Sequence, residues 1–517
     1  MQDALSYYRQ NLKNDLPAGL VVFLVALPLC LGISLASGAP LFSGIITGII
    51  GGLVVSLLSG SSLSVSGPAA GLTVIVAEAI YELKTFEAFL LAGFIAGILQ
   101  LVLGYAKAGI IGMYFPSSVI RGMLAAIGLT LIIKQIPHFL GVPGEADLGE
   151  KHGLGAFLGI FQAFKYLTPG ATLIGVISLL FLIAWDTPAR KKIKAFDLVP
   201  GALVVVFLAV GLNALFSLVA PGLMVAKEHL VNLPVFSSPS QIVGELKFPD
   251  WSQLGNKAIY ITAITIAIIA SLETLLSVEA VDKLDPLKRN TPSNRELKAQ
   301  GVGNILCCLI GGLPLTAVIV RSSANVGAGG RTRVSSFVHG VLLLVSALFL
   351  ARLINLIPLS ALAAVLLVVG FKLTTPVLWK SQWKLGWDQF IPFASTIVAV
   401  LATDLLIGVA FGLAIGIFFV LKAHYKLPFL KERHTHLDSD TLRIQLAQNV
   451  TFLNKASLVA ELSQVPERSN VTIDGSKSDF IDYDVLEAIQ HFKNTSEHKL
   501  INVHLIDIPS VATVGGH

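Results

Sequence analysis

Two interrupted apolar stretches decide the fold of this chain: SVSGPAAGLT at Ser64–Thr73 and GGLPLTAVIVR at Gly311–Arg321. In each, an extended run meets a proline, and the apolar segment that follows is too short to cross a bilayer alone. Proline suits the first turn of a helix, because its missing N–H would have no partner there in any case. Each stretch therefore predicts a half-helix that begins inside the membrane.

The two stretches occupy corresponding places, because each lies third in its run of apolar segments. Matching interruptions in two halves of a membrane protein indicate inverted repeats with a binding site near the midplane. The unpaired N–H groups of a first helical turn form an electropositive end, which attracts an anion. For one stretch alone, a glycine–proline kink in an ordinary packed helix is an equal alternative. The pair favours half-helices.

The amino-acid composition of the whole chain indicates which class of protein contains these stretches. Of 517 residues, 54% are hydrophobic and 13% are charged, and the mean hydropathy is +0.76. An ordinary soluble domain has about 25% charged residues, so a water-soluble or disordered protein is excluded. The three cysteines and 11 histidines have no metal-ligand spacing. No Ser/His/Asp or Cys/His set can be argued either, so the sequence predicts neither an enzyme nor a resident cofactor.

Twelve to fourteen apolar runs over residues 1–430 approach the length of about 20 residues that a spanning helix needs. They predict an all-α polytopic membrane domain of about 14 spans, embedded in the lipid bilayer. The net charge of +5 is spread over short loops and forms no single basic arm. The charge therefore indicates membrane topology, and no nucleic acid is expected as a partner.

The basic loops give the orientation, because lysine and arginine accumulate on the cytoplasmic side. With the N-terminus inside, the acidic loop of Glu145, Asp147 and Glu150 falls outside. Two basic loops fall inside: Arg190, Lys191, Lys192 and Lys194 in one, and Lys283, Lys288, Arg289, Arg295 and Lys298 in the other. The alternation predicts an even number of spans with both termini cytoplasmic. The expected location is a bacterial-type inner or plasma membrane.

The composition changes after Leu430. Residues 431–437 read as a polar linker, and residues 438–517 read as a small soluble α/β domain. Leu442, Ile444 and Leu446 alternate with polar residues as a strand does, whereas residues 454–463 have helical spacing.

Glu273 lies deep in an apolar span, where an ionised carboxylate costs about 2.5–3.5 kcal/mol on insertion scales. Such a group suits a proton or sodium site, and the alternative is a glutamate that is hydrogen-bonded between helices. Arg321 is expected about two turns into the second half-helix, where its fixed charge could lie behind an anion. A salt bridge between Arg321 and Glu273 or another acid is the alternative, and both interpretations are compatible.

These residues carry a family resemblance. The order of Ser66-Gly67-Pro68, Ser271-Leu272-Glu273-Thr274-Leu275-Leu276-Ser277, Asn304, Arg321-Ser322-Ser323-Ala324-Asn325 and Gly329-Gly330-Arg331-Thr332-Arg333 resembles the SulP (SLC26-type) anion transporters. The tail resembles their STAS domain and is shorter than usual. The resemblance implies 14 spans in two inverted repeats of seven, a core and a gate domain, a homodimer and elevator-type movement.

The resemblance also implies a site. A small inorganic anion would bind between Ala69, Ala70 and Gly71 on one half-helix and Ala317, Val318 and Ile319 on the other. Glu273 and Ser277 match the positions of a coupling acid and a hydroxyl. Arg321 would add positive charge to the substrate site.

The expected function is secondary active transport of a small inorganic oxyanion. Leu29, after the first-span Pro28, is more like the bicarbonate-type members, whereas sodium-coupled members have Asp at the position of Glu273. The balance favours bicarbonate slightly over sulfate, with H⁺ or Na⁺ as the coupling ion. The alternatives are a sulfate/proton symporter, an anion exchanger of the same fold, or an anion-sensing membrane protein without net flux.

Overall fold

The computed structural model describes residues 2–110, 116–143, 161–185, 200–236, 239–403, 405–426, 429–436 and 439–510. Helices dominate up to residue 426. They are α1 Gln2–Ala36, α2 Leu41–Ile50, α3 Thr73–Leu83, α4 Phe86–Tyr105, α5 Ser117–Leu140, α6 Pro169–Trp185, α7 Gly201–Val219, α8 Lys257–Leu284, α9 Ser293–Leu309, α10 Ile319–Gly327, α11 Val334–Phe349, α12 Leu359–Leu373, α13 Pro376–Lys384, α14 Trp387–Ala402 and α15 Leu405–Lys426. Helix α2 continues through a π-helical turn, Gly51–Val55, to Leu58, and short helices cover Pro239–Glu245 and Ala351–Ile354.

Many of these helices have the length and apolar character of membrane spans. Seven qualify among the described residues: Tyr7–Ala36, Leu41–Leu58, Phe86–Tyr105, Ser117–Leu140, Gly201–Val219, Lys257–Leu284 and Leu359–Lys384. Four shorter apolar helices accompany them: Pro169–Trp185, Val334–Phe349, Trp387–Ala402 and Ile407–Lys422. The chain is therefore an integral, multi-pass membrane protein.

The two interrupted stretches form a pair in space. Strand β1, Ser66–Pro68, and strand β2, Leu315–Ala317, pair antiparallel. A short helix follows each strand: α3 after a 3₁₀ turn at Ala70–Leu72, and α10 directly after Val318. The interruptions are thus not kinks in continuous helices.

The prolines do not occupy the first helical turns, so that expectation was wrong. Pro68 is the last residue of β1, and Pro314 immediately precedes β2. Pro68 lies opposite Leu315, whose backbone N–H and C=O bond away from β1 to the Asn304 side chain. No N–H is needed at Pro68 for this pair, which explains why a strand accepts a proline there.

Close helix packing surrounds the strand pair. Helix α9 lies along α4, and a Cβ atom at Gly97 would meet the Gly301 carbonyl oxygen at 2.9 Å. A Cβ atom at Gly301 would meet the Leu101 nitrogen at 2.8 Å. Small residues at a crossing let two membrane helices approach backbone to backbone. This approach brings the polar face of α9 against β1 and β2.

The chain divides by its contacts into a unit of Met1–Gly412 and a unit of Leu413–His517. The second unit contains a four-stranded sheet of β3 Phe429–His436, β4 Ser439–Leu446, β6 Asn470–Asp474 and β8 Asn502–Ile506, in the order β3-β4-β6-β8. Strand β3 is antiparallel to β4, and the other two pairings are parallel. A small parallel pair, β5 Asn449–Val450 with β7 Phe480–Ile481, and two helices, α16 Lys455–Ser463 and α17 Tyr483–Ser496, complete it.

This sheet corrects the boundary predicted from the sequence. Residues 431–436 belong to β3 and form no linker, because they pair with β4 along their whole length. Their polar side chains suited a linker, but β3 is an edge strand, which tolerates charged residues. The basic loop of residues 190–194, the acidic residues 145, 147 and 150, and the last residues 511–517 lie outside the described residues.

Candidate functional site

The strand pair brings the two half-helix starts together. Ser66 pairs with Ala317 and Pro68 with Leu315, so Pro68 and Pro314 lie close to one another. Ala69 and Ala317 are buried, whereas Ala70 is half-buried. The structure therefore brings together the two segments that the sequence placed at an anion site.

A carboxylate lies at the start of the first half-helix. The carboxylate of Glu273, on α8, lies against the Gly71 backbone. A Cβ atom at Gly71 would lie 2.5 Å from Glu273 Oε1 and 2.6 Å from Oε2. Glycine is therefore required for this contact, since any side chain would displace the carboxylate. Among the described residues, Oε2 is buried and has no hydrogen-bond partner.

The second half-helix begins at Ile319 without a capping side chain. Its N-cap residue, Val318, supplies none, and the Val318 N–H donates to the Val65 carbonyl at 2.9 Å. One residue earlier, the Ala317 N–H donates to Thr274 Oγ1 at 3.3 Å. Val318 and Ile319 are half-buried, and their apolar side chains cap no N–H group of this turn.

Arg321 lies in the first turn of α10, one turn earlier than the sequence suggested, because the helix starts at Ile319. Its side chain is fully buried, and Nη2 donates to the Pro68 carbonyl at 3.2 Å. Nε and Nη1 have no hydrogen-bond partner in the described part of the chain. No described carboxylate forms an ion pair with Arg321, so the alternative interpretation, a salt bridge to Glu273 or another acid, finds no support among the described residues. The Arg321 guanidinium therefore lies at the end of β1, beside Gly67 and Pro68.

The motif Arg321-Ser322-Ser323-Ala324-Asn325 has a structural explanation that the sequence did not give. Ser322 Oγ accepts a hydrogen bond from the Val65 N–H at 2.9 Å, and Asn325 Nδ2 donates to the Leu63 carbonyl at 2.9 Å. Together with Arg321, these side chains lie on one face of α10. That face holds the segment that leads into the first half-helix.

Sequence reasoning missed the polar face of α9. Gln300 donates to Ser66 Oγ and to Glu296 Oε1, both at 2.8 Å, and Ser59 donates to Glu296 Oε2. Asn304 bonds both backbone groups of Leu315. The signal in the sequence was the spacing of Glu296, Gln300 and Asn304 at successive fourth positions, which places them on one helix face.

Ser277 lies one helical turn beyond Glu273 on the same face of α8. Its side chain is buried, but its hydroxyl makes no hydrogen bond to another described residue. Ser277 and Glu273 therefore lie on the same face of α8.

These features together suit an anion. Two half-helix starts follow the paired strands, the Arg321 side chain reaches the end of β1, and the Glu273 carboxylate lies against the first half-helix. A metal ion finds no comparable site, since no group of three or more His, Cys, Asp or Glu ligands occurs among the described residues. The apolar surroundings keep the local dielectric low and so strengthen each of these interactions.

Known proteins are similar to this chain in sequence and in fold. The sulfate permease family matches residues 12–396. The Bacillus subtilis protein YvdB, provisionally named a sulfate transporter, is 30% identical over 83% of this chain and 77% of its own length. The bicarbonate transporter BicA of a Picosynechococcus species is 26% identical over 80% of this chain and 71% of its own length.

Two solved structures have the same fold. The structure of SLC26A9 matches with a TM-score of 0.79 at 17% identity, covering 97% of this chain and 85% of that chain. The transmembrane domain of a cyanobacterial BicA matches with a TM-score of 0.61 at 24% identity, covering 79% of this chain and 97% of that domain. The helical membrane domain is shared with both, and the C-terminal sheet fits a STAS domain. The chain therefore belongs to the sulfate permease (SulP/SLC26) family.

Proposed function

We propose that this protein is a secondary active transporter of a small inorganic oxyanion. One observation carries the proposal: the antiparallel pairing of β1 and β2 joins two half-helix starts, and neither has a side-chain cap. The anion would bind between Ala69–Gly71 and Ala317–Ile319, at N–H groups other than those of Ala317 and Val318, which donate to Thr274 and Val65. The relatives named for sulfate and bicarbonate transport support this class of substrate.

Charge balance supports coupling to a cation. Arg321 carries one positive charge and an ionised Glu273 one negative charge, so the empty site is neutral. A bound monovalent anion would leave one net negative charge, and a proton on Glu273 would restore neutrality. Because charge inside a bilayer is costly, anion binding and protonation of Glu273 should favour each other.

The contact between Glu273 and Gly71 is a second reason to expect that anion binding is coupled to protonation of Glu273. The Glu273 carboxylate lies against Gly71, in the space that an incoming anion would use. Like charges repel strongly at short range in an apolar site, so the anion binds best when Glu273 is protonated. A proton suits this position better than sodium. Val318 and Ile319 offer no side-chain oxygen, and Thr274 Oγ1 already accepts from Ala317.

The remaining features of the proposal follow the family. They are 14 spans in two inverted repeats, a core domain that carries both half-helices, and a gate domain, with elevator-type movement. A homodimer with both termini cytoplasmic completes the proposal. Bicarbonate is favoured slightly over sulfate as the substrate, because Leu29 is more like the residue of the bicarbonate-type members of the family.

Proteoliposome uptake tests the function. The purified full chain should take up labelled bicarbonate or sulfate, and an inward proton gradient should stimulate uptake, with and without sodium. Competition by bicarbonate, sulfate, chloride and dicarboxylates then ranks the substrates. Stimulation by sodium and not by protons would reassign the coupling ion, and gradient-independent counterflow would indicate an exchanger.

The sensor alternative has a distinct outcome. An anion-sensing protein would bind a labelled anion in detergent but give no uptake above that of empty liposomes. That result would overturn the proposal of transport, while leaving the anion site in place.

A further inference from the structure

A buried amide relay connects strand β2 to helix α8, which carries Glu273. Its first member is Asn304, which accepts a hydrogen bond from the Leu315 N–H at 2.6 Å and donates to the Leu315 carbonyl at 3.2 Å. A neighbouring strand would bond both groups in the same way. Since β1 covers the other edge of β2, the Asn304 side chain completes the strand pair.

Gln100, on α4, continues the relay. Asn304 Nδ2 donates to Gln100 Oε1 at 2.5 Å, and Gln100 Nε2 donates to Ser271 Oγ at 3.2 Å. Gln100 and Asn304 are fully buried, and Ser271 is 6% exposed. Buried amides in an apolar membrane helix are costly unless they are bonded, and here both are bonded.

We infer that Gln100 is a positioning residue of the transport site, which holds α8 at the height where Glu273 meets Gly71. The inference rests on the proposed function. Helix α8 is fastened to β2 at two points: through Gln100 and Asn304 at Ser271, and directly at Thr274, which accepts from Ala317. Glu273 lies between these two points in the sequence. Loss of the first point leaves α8 free to shift along β2, and the carboxylate moves with it.

The alternative is that the relay only stabilises the fold. A structural role lowers the amount or the thermal stability of folded protein, but it leaves the KM and proton stimulation of the folded molecules unchanged. A positioning role changes both transport properties per folded molecule. The two roles are therefore separated by transport kinetics normalised to folded protein.

The test uses the full chain in proteoliposomes with four variants. Gln100→Met keeps the length of the side chain and removes the amide, while Asn304 keeps both bonds to Leu315. Ser271→Ala breaks the far end of the relay, and Ser271→Thr keeps its hydroxyl. Gln135→Met is the matched control, because Gln135 is also fully buried and its amide atoms have no hydrogen-bond partner in the described chain.

Gln100→Met should raise the apparent KM for the anion about tenfold, the equivalent of one buried hydrogen bond. It should also reduce proton-gradient stimulation at least about threefold. Ser271→Ala should act in the same direction, whereas Ser271→Thr and Gln135→Met should match the wild type.

Wild-type KM and stimulation in Gln100→Met, with only the yield lowered, would overturn the positioning role. An equal change in Gln135→Met would overturn it as well, because any buried amide would then matter. If the wild-type protein itself gives no uptake, the proposed function has failed, and the inference fails with it for that separate reason.

Discussion

The two half-helices share one backbone arrangement and carry opposite charges. Each follows a strand of the β1–β2 pair, and neither has a capping side chain. The first half-helix has Glu273 at its start, supplied by α8, whereas the second has Arg321 in its own first turn. Two half-helices that follow paired strands can therefore differ in the charge that lies at their starts. One half holds a fixed positive charge, and the other meets a charge that can be neutralised.

The hydrogen bonds that hold the two half-helices together also differ between them. Arg321, Ser322 and Asn325 of the second half-helix all bond the backbone of the segment before the first. The first segment contributes only backbone groups to these bonds. The second half-helix therefore holds the segment before the first in place. In the proposed function, Glu273 controls anion binding at the first half-helix.

The largest effect on transport is expected from a side chain at Gly71, which would displace the Glu273 carboxylate. In Gly71→Ala, the new Cβ atom would overlap the Glu273 carboxylate, which is the flexible end of its side chain and can move without unfolding the helix. Transport should fall by about 100-fold, because displacement by about 1 Å at a reacting group has effects of this size. Gly327→Ala, near the end of α10, is the control, since a Cβ atom there has open space.

Initial rates of uptake per folded molecule measure this difference. Equal rates in Gly71→Ala and Gly327→Ala would show that the carboxylate does not need its place beside the first half-helix. The asymmetry of the two half-helices would then have no functional meaning.

The next effect concerns the fixed charge. Arg321→Met should raise the KM for the anion by at least about tenfold, because a buried charge is removed from a site of low dielectric. Proton stimulation should persist, since Glu273 is untouched. Arg321→Lys should recover part of the affinity, because an ammonium keeps the charge but loses the planar geometry of the guanidinium. A purely structural arginine would give lysine and methionine variants of equal KM and lowered thermal stability.

A smaller effect is expected at Ser277. Ser277→Ala removes a hydroxyl one turn from Glu273 and leaves both half-helix starts intact. The KM should change by less than about threefold, since the hydroxyl bonds no described residue. A tenfold loss in sodium-driven uptake would instead identify Ser277 as a ligand of a coupling sodium ion.

The smallest effect on transport is expected in the C-terminal unit. Arg443 Nη2 donates to Asp474 Oδ2 at 2.6 Å, and this bond, together with hydrogen bonds from Ser476, lowers the pKa of the Asp474 carboxyl to about 2. The stabilisation is present above the ordinary pKa of about 4 and is lost as the pH falls towards 2.

Arg443→Met should cost this unit about 1 kcal/mol at pH 7, because the guanidinium is half exposed. Hydrogen exchange of the β4 and β6 amides in the full chain measures it. The difference from the wild type should vanish in acid, and the KM should stay unchanged. A changed KM in Arg443→Met would show that the C-terminal unit affects anion binding.

The sequence predicted the helical membrane domain, the paired half-helices and the position of Glu273 in a span. These features depend on hydrophobic length and on interruptions, which one-dimensional patterns contain. The pattern did not reveal that Ser66–Pro68 and Leu315–Ala317 pair as strands, because three residues are too few to show alternation. Pro68 was misplaced for the same reason, since its acceptability depends on a partner about 250 residues away.

The polar contacts were beyond sequence reasoning for a physical reason. Gln100, Asn304 and Leu315 meet only when α4, α9 and β2 pack together, and no local rule encodes such a meeting. The strand at residues 429–436 was mistaken for a linker because an edge strand with polar side chains has no hydrophobic alternation.

In the proposed function, Glu273 carries the proton that accompanies the anion. This role is tested most directly by Glu273→Gln in proteoliposomes that contain a pH indicator, with anion uptake and proton uptake followed together. The wild type should take up one proton with each monovalent anion, whereas the variant should bind the anion and lose both proton uptake and stimulation by the gradient. Unchanged, gradient-driven uptake in Glu273→Gln would contradict the account.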